Sequence, residues 1–225
     1  RYGIVTRGTT TDLNINPIVT DNIVGPTAFG TDQIGKTGIF MQADIGALVS
    51  RNVVQFVGVL DPQAASGADR VGIAIGSEAW STSASTTITS STYTVTKNII
   101  HDVVEENTFS SVGILLGTTQ SGGATNNLVA NNSIYNIRSN STSGDQLCGI
   151  GIAGGNGDKI VNNSISLTGD MDPGAASVST TYGNAIRIPN ANGTNNANFL
   201  VQNNSIYLDA SSGTSAVRYY AITLN

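Results

Sequence analysis

One cysteine (Cys148), one histidine (His101) and one tryptophan (Trp80) are all that 225 residues contain of these three types. A lone cysteine excludes an intrachain disulfide. Cys148 lies in the apolar run Leu147-Cys148-Gly149-Ile150, where it reads as a small buried hydrophobe rather than a nucleophile. A lone histidine without a placed partner cannot support a Ser/His/Asp arrangement. Basic residues are also scarce: ten Lys and Arg against a net charge of −5 exclude nucleic acid and anionic membranes as partners, since both are bound through basic clusters. No apolar run approaches the roughly 18 to 20 residues of a membrane span, which excludes direct helical insertion. Charge of either sign is rare, at 11% of residues, against roughly 25% in ordinary globular domains. With 39% apolar residues, this shortage does not signal disorder, which needs low hydrophobicity and high net charge. Gly, Ser, Thr and Asn carry the polar share instead. The chain starts at Arg1 without Met or a signal peptide and stops at Asn225 within a motif, so both ends read as cuts within something longer.

What is present is repetition. A small residue followed by Ile recurs as Gly38-Ile39, Gly72-Ile73, Gly113-Ile114 and Gly149-Ile150. The full series is Ile4, Ile39, Ile73, Ile114, Ile150, Ile186 and Ile222, at spacings of 35, 34, 41, 36, 36 and 36 residues. Two positions after each stands Thr6, Met41, Ile75, Leu116, Ile152, Ile188 or Leu224. A period of two places both residues on one face of a strand. A second motif falls once between successive isoleucines: aliphatic, two residues, Asn, one residue, aliphatic. Its asparagines are Asn22, Asn52, Asn98, Asn132, Asn163 and Asn204. Asn tolerates the left-handed backbone region, so these residues are expected at the bends themselves. Stacked one repeat above another, their amides would donate and accept along a ladder.

Each repeat thus reads as a Gly-Ile strand, a loop, a strand ending at Asn, a bend, a further strand and a second loop. The expected fold is all-β: a right-handed parallel β-helix with three strands per coil and about six full coils of about 36 residues, its coils starting near residues 3, 38, 72, 113, 149, 185 and 221 and filling 1–225 as a fragment of a longer chain. A helical solenoid of similar period fails because the apolar spacing is two and helix formers are scarce. A β-propeller fails for want of aromatic blade signatures. Length varies only in the connections, notably Ser77 to Thr92 and Ser166 to Asn184, where solenoids tolerate insertion.

Parallel β-helices host many polysaccharide lyases and hydrolases, which act through carboxylates, basic residues and often calcium on an outward sheet face. The outward residue beside each isoleucine is Val5, Phe40, Ala74, Leu115, Gly151, Arg187 or Thr223. That face offers no acid, whereas a glycosidase needs two carboxylates about 5 to 9.5 Å apart and a calcium-dependent lyase needs an acidic cluster. Arg187-Ile188-Pro189 is half of an arginine-rich signature, with Asn192 where the second Arg would stand; Arg187 otherwise reads as a solvated outward residue. Asp170 and Asp172 are the candidate calcium pair, the only cofactor site the sequence offers. Trp80, within the Ser/Thr-rich insertion, is the candidate carbohydrate-binding residue if exposed; folded back, it would cap the stack. His101 occupies the outward position that Tyr135 and Tyr207 hold in other repeats and is expected to stack on a neighbouring rung. The Asn-x-Ser/Thr sequons at Asn131, Asn162 and Asn203 coincide with the bends and fit turn geometry better than glycosylation.

From Leu128 to Leu208 the phrases NNSIYNIRSNSTSGDQLCGIGIAGG, KIVNNSISLTGD, GNAIRI and LVQNNSIYLD resemble the repeat regions of large secreted or cell-surface proteins of Bacteroidota-type bacteria. The resemblance implies a right-handed β-helix exported by type IX secretion and an extracellular or cell-surface location. It transfers no catalytic residue.

The resulting expectation is a non-catalytic structural or adhesive module, a rigid rod for display or binding. Its bare ends would be covered by other coils of the same protein or by another surface protein. The alternative is a carbohydrate-binding or polysaccharide-degrading β-helix domain, with polysaccharide as partner. That reading calls for convergence of acids such as Glu78, Asp145, Asp158 and Asp170. A tailspike-like trimer would instead need an exposed apolar stripe, hinted at by Val5, Phe40 and Leu115.

Overall fold

Alternating β-branched residues leave this chain one economical way to bury its isoleucines, which is to stack each repeat on the next. A computed structural model describes residues 2–9, 11–30, 32–59, 68–80, 90–105, 109–118, 124–139, 147–171, 182–188, 196–211 and 218–224. Those residues are all-β, without a helix. Their strands run parallel in three large stacked sheets and one two-stranded pair, Asn14–Ile15 with Asp44–Ile45, the pairing expected of a β-solenoid.

The first sheet takes the Gly-Ile strands in chain order: Tyr2–Arg7, Thr37–Gln42, Arg70–Ile75, Ser111–Gly117, Leu147–Asn156, Tyr182–Ile188 and Arg218–Leu224. Its register sets Ile4 against Ile39, then Ile73, Ile114, Ile150, Ile186 and Ile222 without a slip. The second sheet stacks the short strands Ile18–Thr20, Leu48–Ser50, Thr94–Thr96, Leu128–Ala130, Lys159–Val161 and Leu200–Gln202. The third stacks Ile23–Val24, Val53–Val59, Ile99–Glu105, Ser133–Ser139, Ser164–Asp170 and Ser205–Ser211. One hydrophobic cluster draws on all three sheets, with Ile39, Ile73 and Ile114 from the first, Val49, Val95 and Val129 from the second, and Val54, Ile100 and Ile134 from the third.

The small residue before each isoleucine has a packing cause. A Cβ on Gly72 would come within 2.5 Å of both the Gly113 carbonyl oxygen and the Ile100 side chain, and one on Gly113 would come within 2.7 Å of Ile134. The first inward aliphatic of the third sheet fills the space that a larger residue here would need.

The outer face of the first sheet differs from expectation. Phe40, Val71, Ala74, Val112, Leu115, Cys148 and Ala153 form a second apolar cluster there, with Trp80 packed against it. Phe40 and Leu115 are therefore covered by this chain's own residues, and of the tailspike-like stripe only Val5 is exposed. Arg187 is likewise buried rather than solvated, at 6% exposure, with its guanidinium carbon 5.9 Å from the centre of the Trp80 ring. Trp80 itself packs back over the sheet, against Gly151 and Arg187, a contact between segments far apart in sequence.

Candidate functional site

Three places concentrate polar or aromatic side chains: the bend holding the asparagines, the bend before the second sheet, and the outer face of the third sheet.

At the first of these the six asparagines form one relay. Asn22 Nδ2 donates to Asn52 Oδ1 at 2.9 Å, and the link repeats from Asn52 to Asn98 (3.0 Å), Asn98 to Asn132 (3.0 Å), Asn132 to Asn163 (2.9 Å) and Asn163 to Asn204 (2.9 Å). Each receiving oxygen also accepts the backbone N–H of the asparagine before it, as Asn98 Oδ1 does from Asn52 at 3.0 Å. The second amide proton goes back to a strand carbonyl, from Asn98 to Val49 and from Asn132 to Val95, both at 3.0 Å. Every donor and acceptor of the four central amides is thus used, which is what burial demands. Asp could not serve here, because it has no protons to give.

The left-handed backbone is not on these asparagines, contrary to expectation. It lies one residue earlier, on Asp21, Arg51, Lys97, Asn131, Asn162 and Asn203, with φ between 55° and 62°. Asn131, Asn162 and Asn203, the sequon asparagines, are the residues that make the turn. The ladder asparagines that follow supply the hydrogen bonds.

The bend before the second sheet has the same backbone form, with positive φ at Asn16, Gly46, Thr92, Asn126, Gly157 and Asn198. The residue after each is Pro17, Ala47, Tyr93, Asn127, Asp158 or Phe199. Side-chain links of the relay kind run from Tyr93 N–H to Asn127 Oδ1 at 3.1 Å and from Asn127 N–H to Asp158 Oδ1 at 2.8 Å. Asp158 also accepts from the Thr125 hydroxyl at 2.6 Å. Burial raises its pKa, against the pull of these bonds. One rung system away, buried Asp44 accepts from Thr6 Oγ1 (2.9 Å), Asn14 Nδ2 (2.6 Å) and the Tyr93 hydroxyl (2.8 Å).

On the outer face of the third sheet runs an aromatic column. Phe29 meets Phe56 edge-on at 5.2 Å, Phe56 meets His101 edge-on at 5.8 Å, and His101 stacks flat on Tyr135 at 4.9 Å with 2° between the rings. His101 Nδ1 lies 2.5 Å from Asp102 Oδ2, and Asn136 Nδ2 donates to the other oxygen of Asp102. Phe56, Asp102 and Asn136 each have positive φ within their strands, so these three strands share a bulge.

Of the carboxylates proposed for chemistry, the two whose side chains are described, Glu78 and Asp158, do not share a site. Glu78 pairs with Lys36, while Asp158 belongs to the Thr125 and Asn127 corner. Asp145 lies outside the described residues. Of the calcium pair, Asp170 closes a strand opposite Ser211, while its side chain and all of Asp172 lie outside the described residues. Among the described residues, no group of three or more His, Cys, Asp or Glu could hold a metal ion. Trp80 is no free sugar platform: its indole edge lies where a Cβ on Gly151 would sit, and its backbone N–H donates to Asp69 Oδ2 at 2.5 Å. Burial pushes the Cys148 thiol up to about 12, leaving little thiolate at neutral pH. Sequence reasoning missed Asp44 and the buried Arg70–Glu105 pair, whose Nε and Oε2 are 3.0 Å apart, and it offered Asp158 only as a catalytic acid, not as a buried corner residue. None of them repeats, so no period marks them.

No family model matches the chain, and no curated protein or solved structure matches it either.

Proposed function

We propose that the chain is a length of right-handed parallel β-helix, three strands to a coil and about six coils of about 36 residues, serving as a rigid, non-catalytic structural or adhesive module of a secreted or cell-surface repeat protein. The observation that carries this reading is the unbroken relay from Asn22 to Asn204 beside an isoleucine register that never slips from Ile4 to Ile222. Such a column resists bending because each amide is held from above and below. Right-handedness follows the general preference of parallel crossover connections. At about 4.8 Å per coil the rod would be about 30 Å long.

The polar groups support a structural role because they are already committed. Asp69 accepts from Trp80 and Ser110, Glu105 pairs with Arg70, and Asp158 is tied to Thr125 and Asn127. The outermost strands leave Ile15, Ile18 and Ile23 exposed on one side and Leu200, Ile222 and Leu224 on the other. Apolar strand edges of this kind favour cover by further coils or by another surface protein. The extracellular location rests on the resemblance of the Leu128 to Leu208 repeats to secreted bacterial proteins. Immunogold labelling of intact cells of the source organism tests it. Surface label is the expected result, and label appearing only after permeabilisation would overturn the reading. Small-angle scattering tests the rod, whose cross-section should stay constant along its length.

A further inference from the structure

We propose that the groove between Tyr135 and Tyr207 is a binding site for one pyranose ring of a neutral polysaccharide. The site does not depend on the rod reading and is lined by strands of the third sheet alone.

Its origin is a break in register. The strand Ser133–Ser139 pairs with Ser164–Asp170 only over Ser133 to Tyr135, because the bulge at Asn136 has no counterpart in the next strand. By contrast, Ser164–Asp170 pairs with Ser205–Ser211 along its whole length. Where the strands part, a groove of about 370 Å³ opens, within the range of small-ligand sites. Register places Tyr135, Ser166 and Tyr207 in one column on three successive rungs. In the rungs before, that column carries His101 stacked on Tyr135 at 4.9 Å. Ser166 interrupts it, so two strand spacings of about 4.8 Å separate Tyr135 from Tyr207 by about 10 Å. One ring inserted over Ser166 would meet each tyrosine at about the distance His101 already keeps from Tyr135.

The walls select the kind of ring. Tyr135, 39% exposed, and Tyr207 both line the groove, from the rungs on either side of Ser166. Around them stand Ser164, Ser166, Thr168 and Asn136, and among the described residues no charged side chain lines the groove. Aromatic faces at two ends with hydroxyl and amide groups between them suit a ligand that presents C–H faces and a rim of hydroxyls. Among these lining residues an anionic sugar would find no cation. A planar aromatic side chain from a partner protein would fill the gap but leave the hydroxyl groups unused, so the neutral sugar is the better match.

Native gels cast with a mixed-linkage β-glucan, a galactomannan, an α-mannan or a dextran, with polygalacturonate as the anionic control, test the proposal on the whole chain. At least one neutral polymer should retard the protein. Tyr207→Ala should weaken that retardation at least tenfold, and so should Ser166→Tyr, which writes a ring into the gap and continues the column. Ser166→Tyr keeps the experiment decisive even if Tyr207→Ala loosens the outer strand, because its unfolding midpoint should equal or exceed that of the parent. Three results would overturn the site: no retardation by any of the four neutral polymers, retardation unchanged in Ser166→Tyr, or tighter binding of N-acetyltyrosinamide than of every neutral sugar.

Discussion

The two bends that flank the second sheet solve one geometric problem in two ways. Each places a left-handed residue two positions before a strand, and each ties that strand's first N–H to a carbonyl in the preceding repeat, as Ile99 to Asn52 at 2.9 Å and Leu128 to Tyr93 at 2.8 Å. After the left-handed residue, one bend always has Asn, while the other has Pro17, Ala47, Tyr93, Asn127, Asp158 and Phe199. The backbone alone therefore makes the turn. What the asparagines add is a side chain that both gives and receives, so the same residue can be stacked without limit. The mixed bend lacks that property and manages its buried polar atoms case by case, with two buried aspartates among them.

Breaking the relay at its centre should have the largest effect. Asn98→Ala removes four buried hydrogen bonds, two accepted from Asn52 and two donated to Val49 and Asn132. At about 1 to 3 kcal/mol for each buried group left unmet, and allowing for non-additivity, the loss should be about 4 kcal/mol. Urea unfolding followed by circular dichroism measures it, and a loss below about 1 kcal/mol would show that the relay is decoration.

Asn132→Asp should cost about 3 kcal/mol near neutral pH, since the new carboxylate gives no proton to Val95 or Asn163 and is buried. The penalty should shrink in acid, where the acid regains a proton.

The mirror exchange, Asp158→Asn, should stabilise the fold by about 1 to 2 kcal/mol at pH 7. Its sign follows from the raised pKa of Asp158. A carboxyl raised in the folded state holds its proton longer there than in the unfolded chain. Its stabilising contribution is therefore complete below the unfolded value of about 3.9 and is lost as pH climbs through the folded value. The gain from Asn should accordingly appear as pH rises and vanish below about pH 4. Asp69, also raised by burial, is present in both proteins and cancels. Unfolding midpoints of the two proteins that run parallel from pH 3 to 8 would contradict this.

The smallest effect is expected one residue before the relay. Lys97 has a φ of 58°, and Gly accepts that region without a Cβ penalty, so Lys97→Gly should gain about 0.5 kcal/mol after its extra unfolded-state entropy. The same change at Asn98 should be strongly destabilising, which separates the residue that turns the chain from the residue that ties it.

Much of this architecture was legible because it repeats. The isoleucine period, the strand pattern and the asparagine series each present one residue type at one interval, and a stack of near-identical rungs enforces that regularity, as each rung is the packing surface for the next. The left-handed position was misjudged by one residue because Asp21, Arg51, Lys97 and Asn131 share no side-chain chemistry. That position constrains φ alone.

The amino-acid sequence by itself determined the period, the inward-facing aliphatic series and the residues of the relay, since local alternation and stacking of like on like need no knowledge of distant contacts. Only the tertiary structure decided the rest. It gathered Phe40 and Leu115 into an apolar cluster with Trp80 packed against it, buried Arg187 beneath that ring, sank Asp158 into a corner with Thr125, and opened a groove where the bulge at Asn136 ends. The reason is that each of these depends on a single contact between segments roughly 30 or more residues apart, and a contact made once leaves no period to read.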